Sequence, residues 1–430
     1  MHSVAMVLIA LALLAGTPAA ATPAEAHNSF VVVGAKVFDG AELHPPTNVI
    51  VRDGLIVAIG TDPPLPDDLP QVQGKGATLL PGFIDSHVHV FPGAQADALR
   101  FGVTTALDMY HLGGRDSAAA FKAQRTSLSK TREADTFTSL TGITPPGGHP
   151  SQMASGWGVE IPTLAAEDDV DAFVRERIEA GADYIKIMQD DSTIGETELV
   201  AFGEARLGEI IRAVHAHQRL AIVHVSTQEQ ARQAFAQGAD MIAHVFQDKV
   251  ADDELLALAL TNDAAVITTL SVLARAAGTE HADTLSAHPK FTDHLSSFQS
   301  QTLSARFPRE RPELLGRVLE SIGRFHAAGV PVLAGSDAPN PGTAHGASMH
   351  LELELLVAAG LSPKQALHAA TALPAELFGL DDRGRIAPGM RADLLLVAGD
   401  PTEDILQTRE LLRIWKNGYG VQRALSDETP

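Results

Sequence analysis

Between Ser29 and Leu80 apolar and polar positions alternate in short runs: Phe30-Val31-Val32-Val33, Val49-Ile50-Val51, Gly54 to Gly60 and Ala77-Thr78-Leu79-Leu80. A period of two marks strands with one solvated face, and Asp53-Gly54 between two of the runs is a hairpin-type dipeptide. After Gly82 the rhythm changes. Short apolar runs now alternate with helix-like blocks: Phe83 to Val90, Thr104 to Asp108, Thr136 to Leu140, Tyr184 to Ile187, Ala221 to His224, Met241 to His244, Ala265 to Thr269 and Val332 to Asp337. Strand–helix alternation on this scale predicts parallel units, and eight of them predict a closed TIM-like (β/α)8 barrel. Strand character returns after Gly384, in Ala392 to Val397 and Leu411 to Asn417. The predicted architecture is therefore α/β: a barrel over 82–383, with a small β-sandwich domain built from both chain ends, 28–81 and 384–425. The segment Gly278 to Pro312, after the seventh strand, reads as an excursion that covers substrate.

The first residues follow a different pattern. Val4 to Gly16 is an apolar block too short to span a bilayer, and Ala19-Ala20-Ala21 after it is a small-residue cleavage site. Residues 1–21 read as a secretory signal peptide, with Ala26 as an alternative cleavage point. The mature protein is expected to be secreted or periplasmic, with no membrane insertion.

Composition narrows the chemistry. The 430 residues, 45% of them apolar, are enough for a large core, and there is no cysteine. Disulfides, zinc–thiolate sites and a thiol nucleophile are excluded, so any metal must be held by imidazole, carboxylate or a modified lysine. A formal net charge of −21 argues against a nucleic-acid partner, because no basic stripe is available to neutralise phosphates. A homo-oligomer stays open.

Within that frame the run Pro81 to His89 stands out because it ends in His-x-His. On a strand, residues two apart point the same way, so His87 and His89 can share one metal ion. On a helix the two rings would lie about 200° apart. The chain contains the helical counterpart: His215 and His217 follow Leu207 to Val214, which reads as a helix, and they are assigned to its surface.

Other polar residues fall at the C-terminal ends of strand candidates, where barrel enzymes build active sites. Lys186 sits in the fourth strand, while His224, His244 and Asp337 end the fifth, sixth and eighth. Singly, each has an ordinary explanation as a loop histidine, a snorkelling lysine or a helix cap. Six such residues in strand order, counting His87 and His89, point to one site.

These motifs resemble the metal-dependent amidohydrolase superfamily, in its imidazolonepropionase-like and prolidase-like branch. The likeness rests on Pro81 to His89, Tyr184 to Ile187, His224 to Thr227, Ile242 to His244 and Gly335 to Asp337. It is reinforced by Ala359 to Thr371, Gly384 to Leu394 and Gly399-Asp400-Pro401. The resemblance implies two divalent metal ions, zinc or else manganese, iron or cobalt. His87, His89 and Asp337 would hold the more buried ion, and His224 and His244 the more exposed one. Lys186, carboxylated by carbon dioxide, would bridge them. It further implies amide hydrolysis by a metal-bridging hydroxide, with Asp337 as the catalytic proton carrier. His149, after the third strand, is either a catalytic or substrate contact beside the scissile group or a plain loop histidine. Tyr110, after the second, either binds a substrate carboxylate or caps the mouth. The substrates implied are a dipeptide or N-acyl amino acid, alternatively a cyclic amide, imidate or lactone. A non-catalytic barrel serving as a binding module is the reading from a different class, disfavoured because every ligand type is present.

Overall fold

The computed structural model of the chain describes residues 27–61, 64–191 and 199–425; the expected signal peptide lies outside them. Sixteen strands are named in chain order. Those of the N-terminal part are β1 (Phe30–Phe38), β2 (Leu43–Arg52), β3 (Leu55–Gly60), β4 (Gln71–Gln73) and β5 (Ala77–Pro81). The central ones are β6 (Phe83–Val88), β7 (Val103–Asp108), β8 (Asp135–Thr138), β9 (Ile185–Gln189), β10 (Ala221–Val225), β11 (Met241–Ala243), β12 (Ala265–Ile267) and β13 (Val332–Leu333). The chain ends with β14 (Leu394–Ala398), β15 (Leu411–Lys416) and β16 (Tyr419–Gly420).

All eight central runs are strands, and every pairing among them is parallel, in the orders β6-β7-β8 and β9-β10-β11-β12-β13. Backbone hydrogen bonds also link the two sheets. Ser86 N donates to Ala334 O (3.0 Å) and Asp337 N to His87 O (2.7 Å) on one side, and Ile143 N donates to Lys186 O (2.8 Å) on the other. Parallel strands need long crossovers, which put helices on their outer face. Strands covered on both faces read as unbroken apolar runs, which is why β7 and β9 are buried at every position. Alternation then sorts their side chains into two cores. Ile185, Ile187, Val223, Val225, Ile242 and Val266 pack with the helices, whereas Ile84, Leu107, Ile222, Met241, Ala243, Ile267 and Leu333 pack with one another inside.

The remaining strands form one accessory sheet, ordered β16-β15-β14-β5-β1-β2-β3, with β4 beside β1. The two chain ends meet where β5 pairs antiparallel with β14, from Leu394↔Pro81 to Ala398↔Ala77. The pairing runs through all eight strands, so there are not two separately bonded sheets of a sandwich. The sheet folds over instead. Three strand spacings would part β15 from β1 by about 14 Å if it were flat, yet the rings of Phe30 and Trp415 stack at 4.9 Å. That fold closes a core of Phe30, Val32, Val49, Ile56, Leu394 and Trp415.

Sheet and central strands are locked together by a buried ion cluster. Lys416 Nζ lies 2.7 Å from both Asp135 and Asp393, and Arg383 reaches Asp135 at 2.7 Å. Burial alone would push the Asp135 carboxyl up, but Lys416 and Arg383 outweigh it and hold the group below its usual value. Breaking a buried pair strands a charge, at a cost of about 3–5 kcal/mol. Lys416→Met is therefore expected to lower unfolding stability by about that amount, measured by chemical denaturation. A change within the scatter of a surface substitution would contradict this account.

The segment after the seventh central strand carries the short helices His281–Ser286, Pro289–Thr292 and Ser297–Ser304. It is packed tightly. Phe291 meets Phe101 at 4.9 Å, Gln299 donates to His345 O (2.7 Å) and Gly342 N to Thr302 O (2.8 Å). Its contacts thus brace the loop that follows Asp337.

Candidate metal centre

The alternation that sorts the two cores also aims the polar residues. Lys186 lies between Ile185 and Ile187, and His224 between Val223 and Val225; all four flanking residues face the helices, so Lys186 and His224 face inward. His244 and Asp337 reach the same place differently. His244 sits just past β11 and Asp337 four residues past β13, each in left-handed backbone, with φ of 68° and 55°, a turn that re-aims the side chain across the strand ends.

The exit from β13 is pressed against β6. A Cβ on Gly335 would lie 2.8 Å from the His87 Cβ and 3.0 Å from its backbone nitrogen, so only glycine permits the approach. Asp85 completes the join. Its carboxylate accepts from Ser336 N (2.9 Å), Ser336 Oγ (2.6 Å) and His87 N (3.2 Å).

The result is a tight group. One ligand atom from each of His87, His89 and Asp337 lies within 4.8 Å of the others. Asp337 Oδ1 is 3.2 Å from His89 Nε2 and 3.6 Å from His87 Nε2, and Oδ2 is 3.7 Å from His244 Nδ1. The ring of His244 lies 4.5 Å from that of His87 and 4.6 Å from that of His224, and His149 stacks on His224 at 5.1 Å. Lys186 is buried, and the Asp337 carboxylate is the charge that most favours its protonated form. Burial pushes the Lys186 amine down to about 7. Burial and the neighbouring cationic groups push His87 and His244 far down, and His149 to about 3. These rings are neutral at physiological pH, the form that offers a lone pair to a metal.

Lys186 Nζ, His87 Nδ1 and His224 Nε2 are buried without a hydrogen bond. Buried polar atoms left in that state call for a partner, and imidazoles, a carboxylate and a neutral amine that can be carboxylated are the donor set of a divalent cation. The residues fit a metal centre.

Seven of the eight residues singled out in the sequence therefore converge: His87, His89, His149, Lys186, His224, His244 and Asp337. Tyr110 is placed differently. It is buried beside Gly142 and Met188 with Arg177 behind it. Two carboxylates escaped the sequence reading although parity points to them. Asp85 has the parity of His87 and His89 in the sequence, and Asp190, 3.6 Å from His224 Nε2, has that of Lys186. The Thr269 hydroxyl, 2.8 Å from His244 Nδ1, carries no such signal.

His215 and His217 end the helix Glu204–Ala216 and pair at its surface with Asp240 (2.9 Å) and Asp171 (2.8 Å). Replacing either by alanine is expected to leave the metal content unchanged, whereas His87→Ala or His89→Ala should reduce it. Elemental analysis of the four purified variants checks this.

The sequence profile of the amidohydrolase family matches residues 78–419. The chain is 28% identical to an imidazolonepropionase of Deinococcus deserti over 402 residues, covering 87% of this chain and 91% of that one. Among solved structures it is similar to a Xaa-Pro dipeptidase with methionine bound in the active site, at 20% identity and a TM-score of 0.73, over 92% of this chain and 100% of that one. A molinate hydrolase is similar at 20% identity and a TM-score of 0.72, over 92% and 95%.

Proposed function

The chain belongs to the amidohydrolase family, in its imidazolonepropionase- and prolidase-like branch, and is a metal-dependent hydrolase of carbon–nitrogen bonds; from that premise we propose an exported enzyme that cleaves the amide bond of a small substrate, a dipeptide or N-acyl amino acid, at a two-metal centre. The observation that carries this reading is the convergence of His87, His89 and Asp337 with Lys186, His224 and His244 on one buried spot. His87, His89 and Asp337 would hold the first ion, His224 and His244 the second, and a carboxylated Lys186 both.

Bound there, two divalent ions such as zinc would supply Lewis acidity, lowering the pKa of water toward neutrality and polarising the scissile carbonyl. The chain's own residues do the rest. Asp337 takes the proton of the attacking water and returns it to the leaving amine. His149, stacked on His224, stands beside the scissile group, and Tyr110 supports the wall behind it. The same proposal includes closure of the eight central strands into a barrel, supported by the bridges Val88↔Ala338 and Ile143↔Ile187. It also includes the division at 28–81, 82–383 and 384–425, supported by the β5–β14 pairing, and export directed by residues 1–21. Among the described residues no helix is long and apolar enough to cross a membrane.

A second reading, hydrolysis of a cyclic amide, imidate or lactone, is favoured by the similarity to imidazolonepropionase. Zinc- or manganese-loaded protein tested against dipeptides, N-acyl amino acids and cyclic amides separates the two. Two metals per chain and loss of hydrolysis on chelation are expected in either case. A metal-free preparation that stays fully active would sink both.

A further inference from the structure

Glu352 lies on the helix Ala347–Ala358 and is fully buried. Its carboxylate accepts four hydrogen bonds, all from one corner of the chain just after β12. Thr268 Oγ1 (2.5 Å) and Leu270 N (2.8 Å) donate to Oε1, and Ser271 N and Ser271 Oγ (both 2.7 Å) donate to Oε2. The residue they straddle is Thr269, at φ 52° and ψ 41°. That is left-handed backbone, which a β-branched side chain rarely adopts and which persists only where the surroundings impose it. The hydroxyl of this residue is the one that meets His244 Nδ1 at 2.8 Å.

Taken alone, the carboxylate caps the helix Leu270–Ala276 from outside. The cap is costly in its charged form, because the carboxyl is buried among neutral donors only, which pushes it up to about 7, and its product is a left-handed backbone at the position whose hydroxyl meets His244. We propose that Glu352 is a positioning residue for the metal centre: it holds the Thr268–Ser271 corner so that Thr269 Oγ1 accepts the Nδ1–H of His244, leaving the lone pair on Nε2 for the metal. The ring's tautomer and orientation are then fixed from behind, as a carboxylate or carbonyl fixes a metal-bound imidazole elsewhere. This rests on the metal-centre reading above, to which it adds the link from the helix after β13 to a ligand after β11.

The test is the affinity of the metal-free protein for Zn2+, titrated against a chelating competitor. Thr269→Val keeps the size and removes the hydroxyl, and should weaken binding about 10–100-fold at one of the two sites; Thr269→Ser should restore it. Glu352→Gln turns an amide donor toward the two donors of Ser271 and should weaken binding similarly. Because both act through the same bond, the double variant should bind within about twofold of the weaker single one, whereas independent losses would multiply. A Glu352→Gln protein that melts at lower temperature with unchanged zinc affinity would overturn the proposal, as would multiplying losses. Should Glu352→Gln fail to fold, Ser271→Ala removes one anchor alone: a smaller loss of affinity supports the link, and none refutes it. Wild-type protein that takes up no metal overturns the metal centre and this proposal together, whereas tight wild-type binding with unaffected variants overturns this proposal only.

Discussion

Asp337→Asn is expected to lower kcat by about 10²–10⁴-fold, the usual worth of general acid–base catalysis, while the protein keeps its fold and much of its metal. Asparagine is nearly the same size and retains one carbonyl oxygen as a ligand, but it cannot accept a proton and return it. The position is held by backbone, not by the carboxylate. Asp337 N donates to His87 O (2.7 Å), and the left-handed turn at φ 55° suits asparagine as well as aspartate. The loss should therefore appear in turnover, with metal content and thermal unfolding close to wild type. If kcat stays near normal, the proton carrier lies elsewhere, and His149, stacked on His224 at 5.1 Å, is the next to replace.

The parts of this site that obey periodicity were legible in the sequence. Lys186 lies within β9, and His224 one residue before the end of β10, so alternation alone aims them. His87 is out of step with the inward Ile84, and the β6–β7 register shifts between Asp85 and Val88, an irregularity that leaves no mark in the sequence. His89, one residue past β6, keeps the same parity. His244 and Asp337 were legible as strand-end residues, but not their direction, because positive φ at each is a property of the folded turn. The run Val332 to Asp337 reads as one strand in the sequence, yet only Val332–Leu333 pairs with β12. The rest leaves that ladder to bond β6, where Gly335 allows close contact. The accessory strands were found, but not that they bond as one sheet folded on itself, since register between distant strands leaves no local mark. Glu352 was hidden most completely. It sits in a helix so apolar that it reads as buried all round, where a lone carboxylate gives no periodic signal of what it holds.

Lys186→Arg is expected to abolish most activity and to cost the bridge between the two metal positions, although it retains a cation of similar reach. The argument is chemical. A protonated lysine is no ligand, whereas its carbamate is an anion with two oxygens, and forming it requires the neutral amine. Burial holds the Lys186 amine down to about 7, so the neutral form is available near physiological pH. Its Nζ is buried without a hydrogen bond, ready for one carbon dioxide. Guanidinium stays protonated, forms no such carbamate and fixes a permanent cation among neutral histidines. Metal uptake by the wild type should accordingly rise with added bicarbonate, and uptake by Lys186→Arg should not. Lys186→Ala leaves a gap that a small carboxylic acid can fill, so formate or acetate should restore part of its activity and none to Lys186→Arg. Intact mass of the gently desolvated metal-loaded protein is the direct reading: the added mass of one carbon dioxide is expected in the wild type alone. A fully active two-metal enzyme with an unmodified Lys186 amine would end this account of the bridge, leaving the five other ligands to hold the ions unaided.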